Sequence, residues 1–220
     1  MTVRTALLGL FAAGALVCAA GCSDSPSADP GVGSTVQGQA TSTTPASTPP
    51  GTLPPLPKPS KPWPAPTVTG APAEDAPLAD RIRFSIAKQV QVAAGKAAKA
   101  TVSCPGLDDV GSGSGSHTIT CTVTYGGQSF AGRLVVDAKR YSATYDFTSD
   151  SVAVAKPKVV DAVTRAAVRP ATVDCTMGAV AVLKHADPNG LDCTVTDTSG
   201  AEAAYTVRVS GDGKVTAAKM

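Results

Sequence analysis

Two short cysteine-containing segments occur twice in this chain, in the same order and at nearly the same spacing. The run Thr101–Cys104 reads Thr-Val-Ser-Cys, and the run Thr172–Cys175 reads Thr-Val-Asp-Cys. Cys121 follows 17 residues after the first run and Cys193 follows 18 residues after the second, and each begins the sequence Cys-Thr-Val-Thr. Several features repeated in one order indicate an internal duplication. We therefore expect two similar units in tandem.

Each unit combines a helical pattern with alternating strands. The first unit, residues 78–150, opens with apolar residues four positions apart, which predicts a helix over Leu78–Ala94 that ends at Gly95. The second, divergent unit comprises residues 151–220. Near its start lies Pro157, which suits the first turn of a helix. Apolar residues and threonines then alternate around the second cysteine of each unit, as in strands with one buried face. This predicts an α+β fold in which each unit is one helix packed on a short antiparallel sheet.

The four cysteines of these units allow three disulfide pairings. Because each copy is expected to close its own loop, the duplication favours Cys104–Cys121 and Cys175–Cys193. A bond that closes a loop of this size is worth about 3 kcal/mol in the chain-entropy model. Such a contribution is useful to a unit of this size, which buries only a modest core.

A zinc site is the competing interpretation of the cysteines. His117 lies four residues before Cys121, a spacing that zinc sites use. In the second copy, however, His185 lies eight residues before Cys193, so the pattern does not repeat. A structural zinc site requires four ligands. We therefore expect no metal and interpret both histidines as solvated surface residues.

The first 22 residues have the pattern of a bacterial lipoprotein signal peptide. Arg4 is the early charge, the apolar stretch Ala6–Ala20 follows, and small residues precede Cys22. The stretch is shorter than the roughly 20 apolar residues of a membrane span. We expect cleavage to remove residues 1–21 and Cys22 to carry diacylglycerol, with ordinary secretion as the alternative. Acyl chains give stable anchoring, so the expected location is the extracytoplasmic face of the cell membrane, where disulfides persist.

A proline-rich segment separates Cys22 from the first unit. Residues 23–77 hold 14 of the 18 prolines and many Ser, Thr and Gly residues. With so little apolar bulk, residues 22–77 are expected to form a lipidated, disordered linker. Its densest part favours polyproline II and would act as a stalk. Trp63 is interpreted as a lone aromatic in this linker, with a docking motif for a partner as the alternative.

Charge and motif content exclude several classes of function. Lys and Arg number 19 against 17 Asp and Glu, whereas a nucleic-acid-binding protein requires a strongly basic face. The chain has only two histidines, at unmatched positions in the two copies. Asp108 and Asp109 are adjacent loop residues whose side chains point apart, and no phosphate-binding glycine motif is present. We therefore expect no catalytic residues, no cofactor and no enzymatic activity.

The arrangement of the first unit is similar to a known family. A helix, Thr101–Pro105 (Thr-Val-Ser-Cys-Pro), Ile119–Val123 (Ile-Thr-Cys-Thr-Val), a glycine turn and two strands resemble domain of unknown function 4333, common in actinobacterial lipoproteins and secreted or membrane-anchored proteins. The resemblance covers residues 78–150 well, and the second unit less well because Thr176 replaces the proline. It implies an extracytoplasmic module with a bridge between the paired cysteines, and it implies no assigned activity.

These observations leave three functional hypotheses. The first is a non-catalytic binding or interaction module whose sheet edges or threonine face contact an envelope protein or a cell-wall glycan. That face consists of Thr118, Thr120, Thr122 and Thr124. The second is a carrier or sensor of small apolar molecules, which requires an apolar cavity of several hundred Å³. The third is a hydrolase, which requires a cleft that gathers a histidine, a carboxylate and a hydroxyl.

Overall fold

The structure, a computed structural model, describes residues 52–110, 113–140, 142–185, 187 and 190–220. The predicted signal peptide, the lipidation residue Cys22 and the linker up to residue 51 lie outside the described residues. The described residues belong to one contact unit.

Two helices and ten strands are formed by the described residues. The elements of residues 78–150 are α1 (Leu78–Ala94), β1 (Ala100–Ser103), β2 (Gly115–Tyr125), β3 (Gln128–Lys139) and β4 (Ser142–Thr148). The elements that follow are β5 (Ser151–Ala155), α2 (Lys156–Ala166), β6 (Pro170–Cys175), β7 (Val180–Lys184), β8 (Leu191–Asp197), β9 (Glu202–Val209) and β10 (Val215–Lys219). The bounds of α1 are those predicted from the sequence.

Antiparallel pairing organises the strands into three sheets. One four-stranded sheet has the order β1-β2-β3-β4, a second has the order β10-β9-β8-β6, and β5 pairs with β7 in a two-stranded sheet. The predicted mixture of two helices with antiparallel sheets is confirmed. The β5–β7 sheet is not predicted, and the described part of the chain contains more strand than helix.

The hairpin β2–β3 follows from local sequence. Cys121, Val123 and Tyr125 are buried while the threonines between them are exposed, so the predicted alternation is confirmed. Gly126 and Gly127 form the turn with φ values of 57° and 80°. Two consecutive left-handed residues make a tight turn whose twist matches that of the flanking strands. The same alternation recurs in β8 and β9.

The β5–β7 sheet lies between two hydrophobic cores. On β5, Ala153 belongs to the core built on α1 and Val154 belongs to the core built on α2. On β7, Val180 and Val182 pack against the core built on α1, whereas Ala181 and Leu183 pack against the core built on α2. Because successive strand residues point to opposite faces, this sheet is covered on both sides. Its continuous apolar sequence is typical of such strands.

Part of the proline-rich segment lies against the folded residues. The N–H of Leu53 donates to the carbonyl of Thr198 at 3.0 Å, and the indole of Trp63 donates to the carbonyl of Gly95 at 2.7 Å. We call residues 53–63 the docked segment. This differs from a linker that is free up to residue 77. A low content of apolar side chains predicts disorder, whereas this segment is held mainly by hydrogen bonds to its backbone.

A buried tyrosine ties β2 to the chain that follows α1. Tyr125 has no exposed surface, and its hydroxyl donates to the carbonyl of Lys96 at 2.6 Å. Burial raises the pKa of Tyr125 above its ordinary value. The folded protein therefore disfavours the phenolate.

Tyr125→Phe is expected to lower the free energy of unfolding by about 1 kcal/mol near neutral pH, the usual net value of one hydrogen bond. Because the folded-state pKa is raised, the phenol contributes fully to the free energy of unfolding below the unfolded-state pKa of about 10. This contribution is lost as pH rises through the folded-state pKa. Urea unfolding from pH 7 to 11 should show the stability difference between wild type and variant narrowing above pH 10. A difference that stays constant over that range would contradict this account. Tyr145→Phe, at a side chain 41% exposed, is the control and should change little.

Candidate functional site

The two disulfides stabilise the fold and do not form a reactive site. The structure has the pairs Cys104–Cys121 and Cys175–Cys193, with Cα–Cα distances of 4.2 and 4.0 Å. The first bond joins the residue directly after β1 to β2, and the second bond joins β6 to β8. All four cysteines are at most 3% exposed. Thiol exchange with a substrate is therefore sterically blocked at both bonds.

The structure places the two histidines in different surroundings. His117 lies on the inner face of β2 opposite Val136, and its Nε2 atom is buried without a hydrogen-bond partner. It is half-buried rather than solvated, because it shares the strand face of Cys121. His185 is exposed just after β7, as predicted. In the described ranges, no group of three or more His, Cys, Asp or Glu side chains is placed to hold a metal ion.

The described residues enclose a half-open cavity of about 380 Å³, which we call the junction pocket. It lies where α1 meets the start of β3, the end of β4, the start of β5 and the β9–β10 turn. Its apolar wall is formed by Val90, Ala93, Phe130, Phe147, Val152 and Ala153. Its polar rim is formed by Gln89, Thr148, Ser149, Ser151, His185 and Asp212. The pocket draws on both sequence repeats.

The rim gathers a histidine, a carboxylate and hydroxyls, so its geometry bears on hydrolysis. The Ser149 hydroxyl donates to the carbonyl of Ala131 at 2.6 Å and accepts the N–H of Ser151 at 3.1 Å. The Asp212 carboxylate accepts the Ser210 hydroxyl within its own turn. No hydrogen bond links the His185 ring to a hydroxyl or carboxylate of the described residues. The rim thus lacks the nucleophile–base–carboxylate chain that acyl transfer uses.

The wall formed by the end of α1 depends on contacts from α2 and from the β9–β10 turn. The Lys158 ammonium of α2 donates to the carbonyl of Ala93 at 2.7 Å, which satisfies one of the free carbonyls at a helix C-terminus. Burial lowers the pKa of Lys158, and the negative charge of Asp212 partly opposes that effect. Gly213 also meets Ala93, where an added Cβ would lie 2.5 Å from the Ala93 Cα. The β9–β10 turn and α2 therefore fix the last turn of α1.

The sequence patterns did not predict the junction pocket. Its lining comes from distant parts of the chain, and no local pattern marks their meeting point. The predicted threonine face, by contrast, is present as an exposed surface of β2. Whether that face binds a protein or a glycan stays a prediction.

Within the described ranges, no helix has the combination of length and apolar character needed to cross a bilayer. Comparisons of the chain with models of protein families, with curated proteins and with solved structures find no match.

Proposed function

We propose that this protein is a non-catalytic binding protein, held by a lipid anchor at the extracytoplasmic face of the membrane, that takes up a small and largely apolar molecule. The observation that carries the proposal is the junction pocket, with its apolar wall and its polar rim. A volume of about 380 Å³ falls within the range of small-molecule sites. The carrier hypothesis therefore has more support than the hydrolase hypothesis.

The lining favours a ligand with an apolar body and one polar end. The aromatic rings of Phe130 and Phe147 and the side chain of Val152 would contact the body. The rim groups of Ser151 and His185 would bind the polar end by hydrogen bonds. Such a division of contacts gives affinity through apolar burial and orientation through a few polar groups.

Ser151→Phe is expected to weaken binding of a neutral apolar probe, N-phenyl-1-naphthylamine, by about tenfold or more. The phenyl ring would enter the pocket mouth and displace the probe. Titration followed by the rise in probe fluorescence measures this. Ser151→Ala is the matched control: it leaves the mouth open and removes only a hydroxyl on which binding of this apolar probe does not depend, so its affinity should stay within about twofold of wild type. Equal affinity of wild type and Ser151→Phe would contradict the location of the site.

The proposed extracytoplasmic location has separate support. Two buried disulfides, Cys104–Cys121 and Cys175–Cys193, suit an oxidising compartment outside the cytoplasm. The apolar stretch and small residues before Cys22 suit lipoprotein processing.

Cys22→Ser is expected to move the protein from the membrane fraction to the soluble fraction, because no acyl chain can then be attached. Mass spectrometry of wild-type protein extracted from membranes should show the N-terminal peptide beginning at Cys22 with diacylglycerol attached. An unmodified Cys22 in membrane-extracted protein would contradict the anchor.

The proposal also includes the evolutionary arrangement of the chain. We interpret residues 78–150 and 151–220 as tandem copies, since each contributes one helix and a four-stranded sheet with a disulfide between its first two strands. We also propose that the first copy is related to domain of unknown function 4333, because Thr101–Pro105 and Ile119–Val123 resemble that family.

A further inference from the structure

The docked segment is stiff before it meets the folded residues. Five of its eleven residues are prolines, and Ser60 is the only residue that is neither proline nor followed by proline. Proline fixes its own φ and biases the preceding residue toward extended conformations. The segment therefore favours polyproline II, so it loses little conformational entropy when it binds.

Two backbone donors begin the contact. Within residues 53–57 only Leu53 and Leu56 carry a backbone N–H, since the other three residues are prolines. Leu53 donates to the carbonyl of Thr198 at 3.0 Å, and Leu56 donates to the carbonyl of Pro170 at 2.7 Å. Polyproline II has three residues per turn, so residues three apart point the same way. Both backbone N–H groups of residues 53–57 therefore donate hydrogen bonds to the folded residues.

An arginine of α2 binds the middle of the segment. The guanidinium of Arg165 donates to the carbonyls of Pro59 and Lys61, the first at 3.2 Å. Asp161, one helical turn earlier, holds the same guanidinium with bonds of 2.6 and 3.1 Å. A bidentate carboxylate fixes the plane of the guanidinium. Arg165 is therefore oriented toward the segment by its own helix.

The end of the segment is fixed at the C-terminus of α1. The Trp63 indole donates to the carbonyl of Gly95 at 2.7 Å. A Cβ at Gly95 would lie 2.6 Å from the indole nitrogen and 2.6 Å from the Lys158 Cδ. Gly95 is also the left-handed residue that ends α1, with φ 76°. Glycine at this position therefore both ends the helix and admits the indole.

We propose that the surface running from Thr198 and Pro170 past Arg165 to Gly95 is a binding site for proline-rich peptides, with residues 53–63 as its resident ligand. We call this surface the peptide site. It lies apart from the lining of the junction pocket and does not depend on the function proposed for that pocket. The peptide site would bind a peptide through the backbone carbonyls of Thr198 and Pro170 and the guanidinium of Arg165. The carbonyl of Gly95 would accept the indole N–H. All the atoms that the peptide site contacts lie within eleven consecutive residues, so a separate peptide of the same sequence can occupy it.

Two matched chains test the proposal. The first, Leu53→Pro/Leu56→Pro/Trp63→Ala, removes three donors of the resident segment and leaves the peptide site unchanged. The second adds Arg165→Ala, which removes the guanidinium from the site. Since Trp63 is the only tryptophan, neither variant fluoresces as tryptophan. A synthetic peptide of residues 52–64 then carries the only indole in the mixture, and its anisotropy reports binding directly.

The donor-deleted chain is expected to bind the peptide saturably at millimolar concentration or below, as a short intramolecular connection supplies millimolar effective concentrations. Adding Arg165→Ala should weaken binding by about tenfold or more, whereas adding Arg133→Ala, at an exposed position of β3, should not. In the wild-type chain, acrylamide should quench Trp63 less than it quenches the free peptide.

Two results would overturn the proposal. Equal quenching of wild-type Trp63 and of the free peptide would mean that the segment is not bound in solution. A protected Trp63 combined with no saturable peptide binding up to several millimolar would mean that the segment is held only as part of the fold. Circular dichroism of each variant establishes that it is folded before it is compared.

Discussion

Replacing Cys104 and Cys121 together by alanine is expected to lower the free energy of unfolding by about 3 kcal/mol, and replacing Cys175 and Cys193 together by about the same amount. The bonded residues are 17 and 18 positions apart, so the chain-entropy model gives the two bonds nearly equal effects. Single domains have stabilities of about 5–15 kcal/mol. Either loss is therefore a large share of the total, and reduction of both bonds should bring the protein close to unfolding.

Calorimetry and urea unfolding measure these effects. Because the β5–β7 sheet packs against both cores, the two cores should unfold together. Each double variant should therefore lower the midpoint of one common unfolding transition. Thr120→Ala, at an exposed position beside Cys121 on the same strand, is the control and should change stability by less than about 0.5 kcal/mol. Double variants as stable as wild type would contradict the stabilising role of the bonds. Two separate transitions would contradict the packing of both cores on one sheet.

Gly213→Ala is expected to lower the free energy of unfolding by about 2–5 kcal/mol and to alter the junction pocket. Gly213 has φ 83°, a conformation that costs an L-residue about 1–2 kcal/mol. The added Cβ would also lie 2.5 Å from the Cα and carbonyl oxygen of Ala93. A backbone cannot move aside as a side chain can, and forced overpacking typically costs a further 1–3 kcal/mol, roughly. The β9–β10 turn must therefore move away from the end of α1.

Gly200→Ala separates the cost of the left-handed backbone conformation from the cost of a close contact. Gly200 has φ 86°, but an added Cβ there would have no atom within 4 Å. Its variant should carry only the conformational cost, about 1–2 kcal/mol, and should bind the apolar probe as wild type does. Gly213→Ala should be less stable and should bind the probe more weakly. Equal behaviour of the two variants in both measurements would contradict the close contact with Ala93.

Local patterns predicted the parts of this protein whose physical cause is local. The four-residue apolar spacing and the glycine that follows it fix Leu78–Ala94 as a helix that ends at Gly95. Period-two alternation predicted the buried faces of β2 and β8, and the glycine turn of the first unit is the turn of the β2–β3 hairpin. In each case neighbouring residues decide the outcome through backbone conformation and side-chain direction.

The parts not predicted depend on residues that are distant in sequence. The pairing of β5 with β7 joins strands on either side of α2 and β6, and its apolar sequence alone does not distinguish strand from buried helix. The burial of His117 follows from the register of β2 and not from its residue type. The docked segment has a composition typical of a linker, and only Arg165 and the carbonyls around it distinguish it from one.

The sequence by itself determined the first helix, the alternating strands and which cysteines pair, because the repeated cysteine segments and short-range periodicity express those features directly. Only the tertiary structure decided that two cores share one central sheet, that a pocket opens beside the end of α1, and that residues 53–63 are bound. These features arise from contacts between segments far apart in the chain, and their free energy depends on shape and hydrogen-bond geometry that no short stretch of sequence carries.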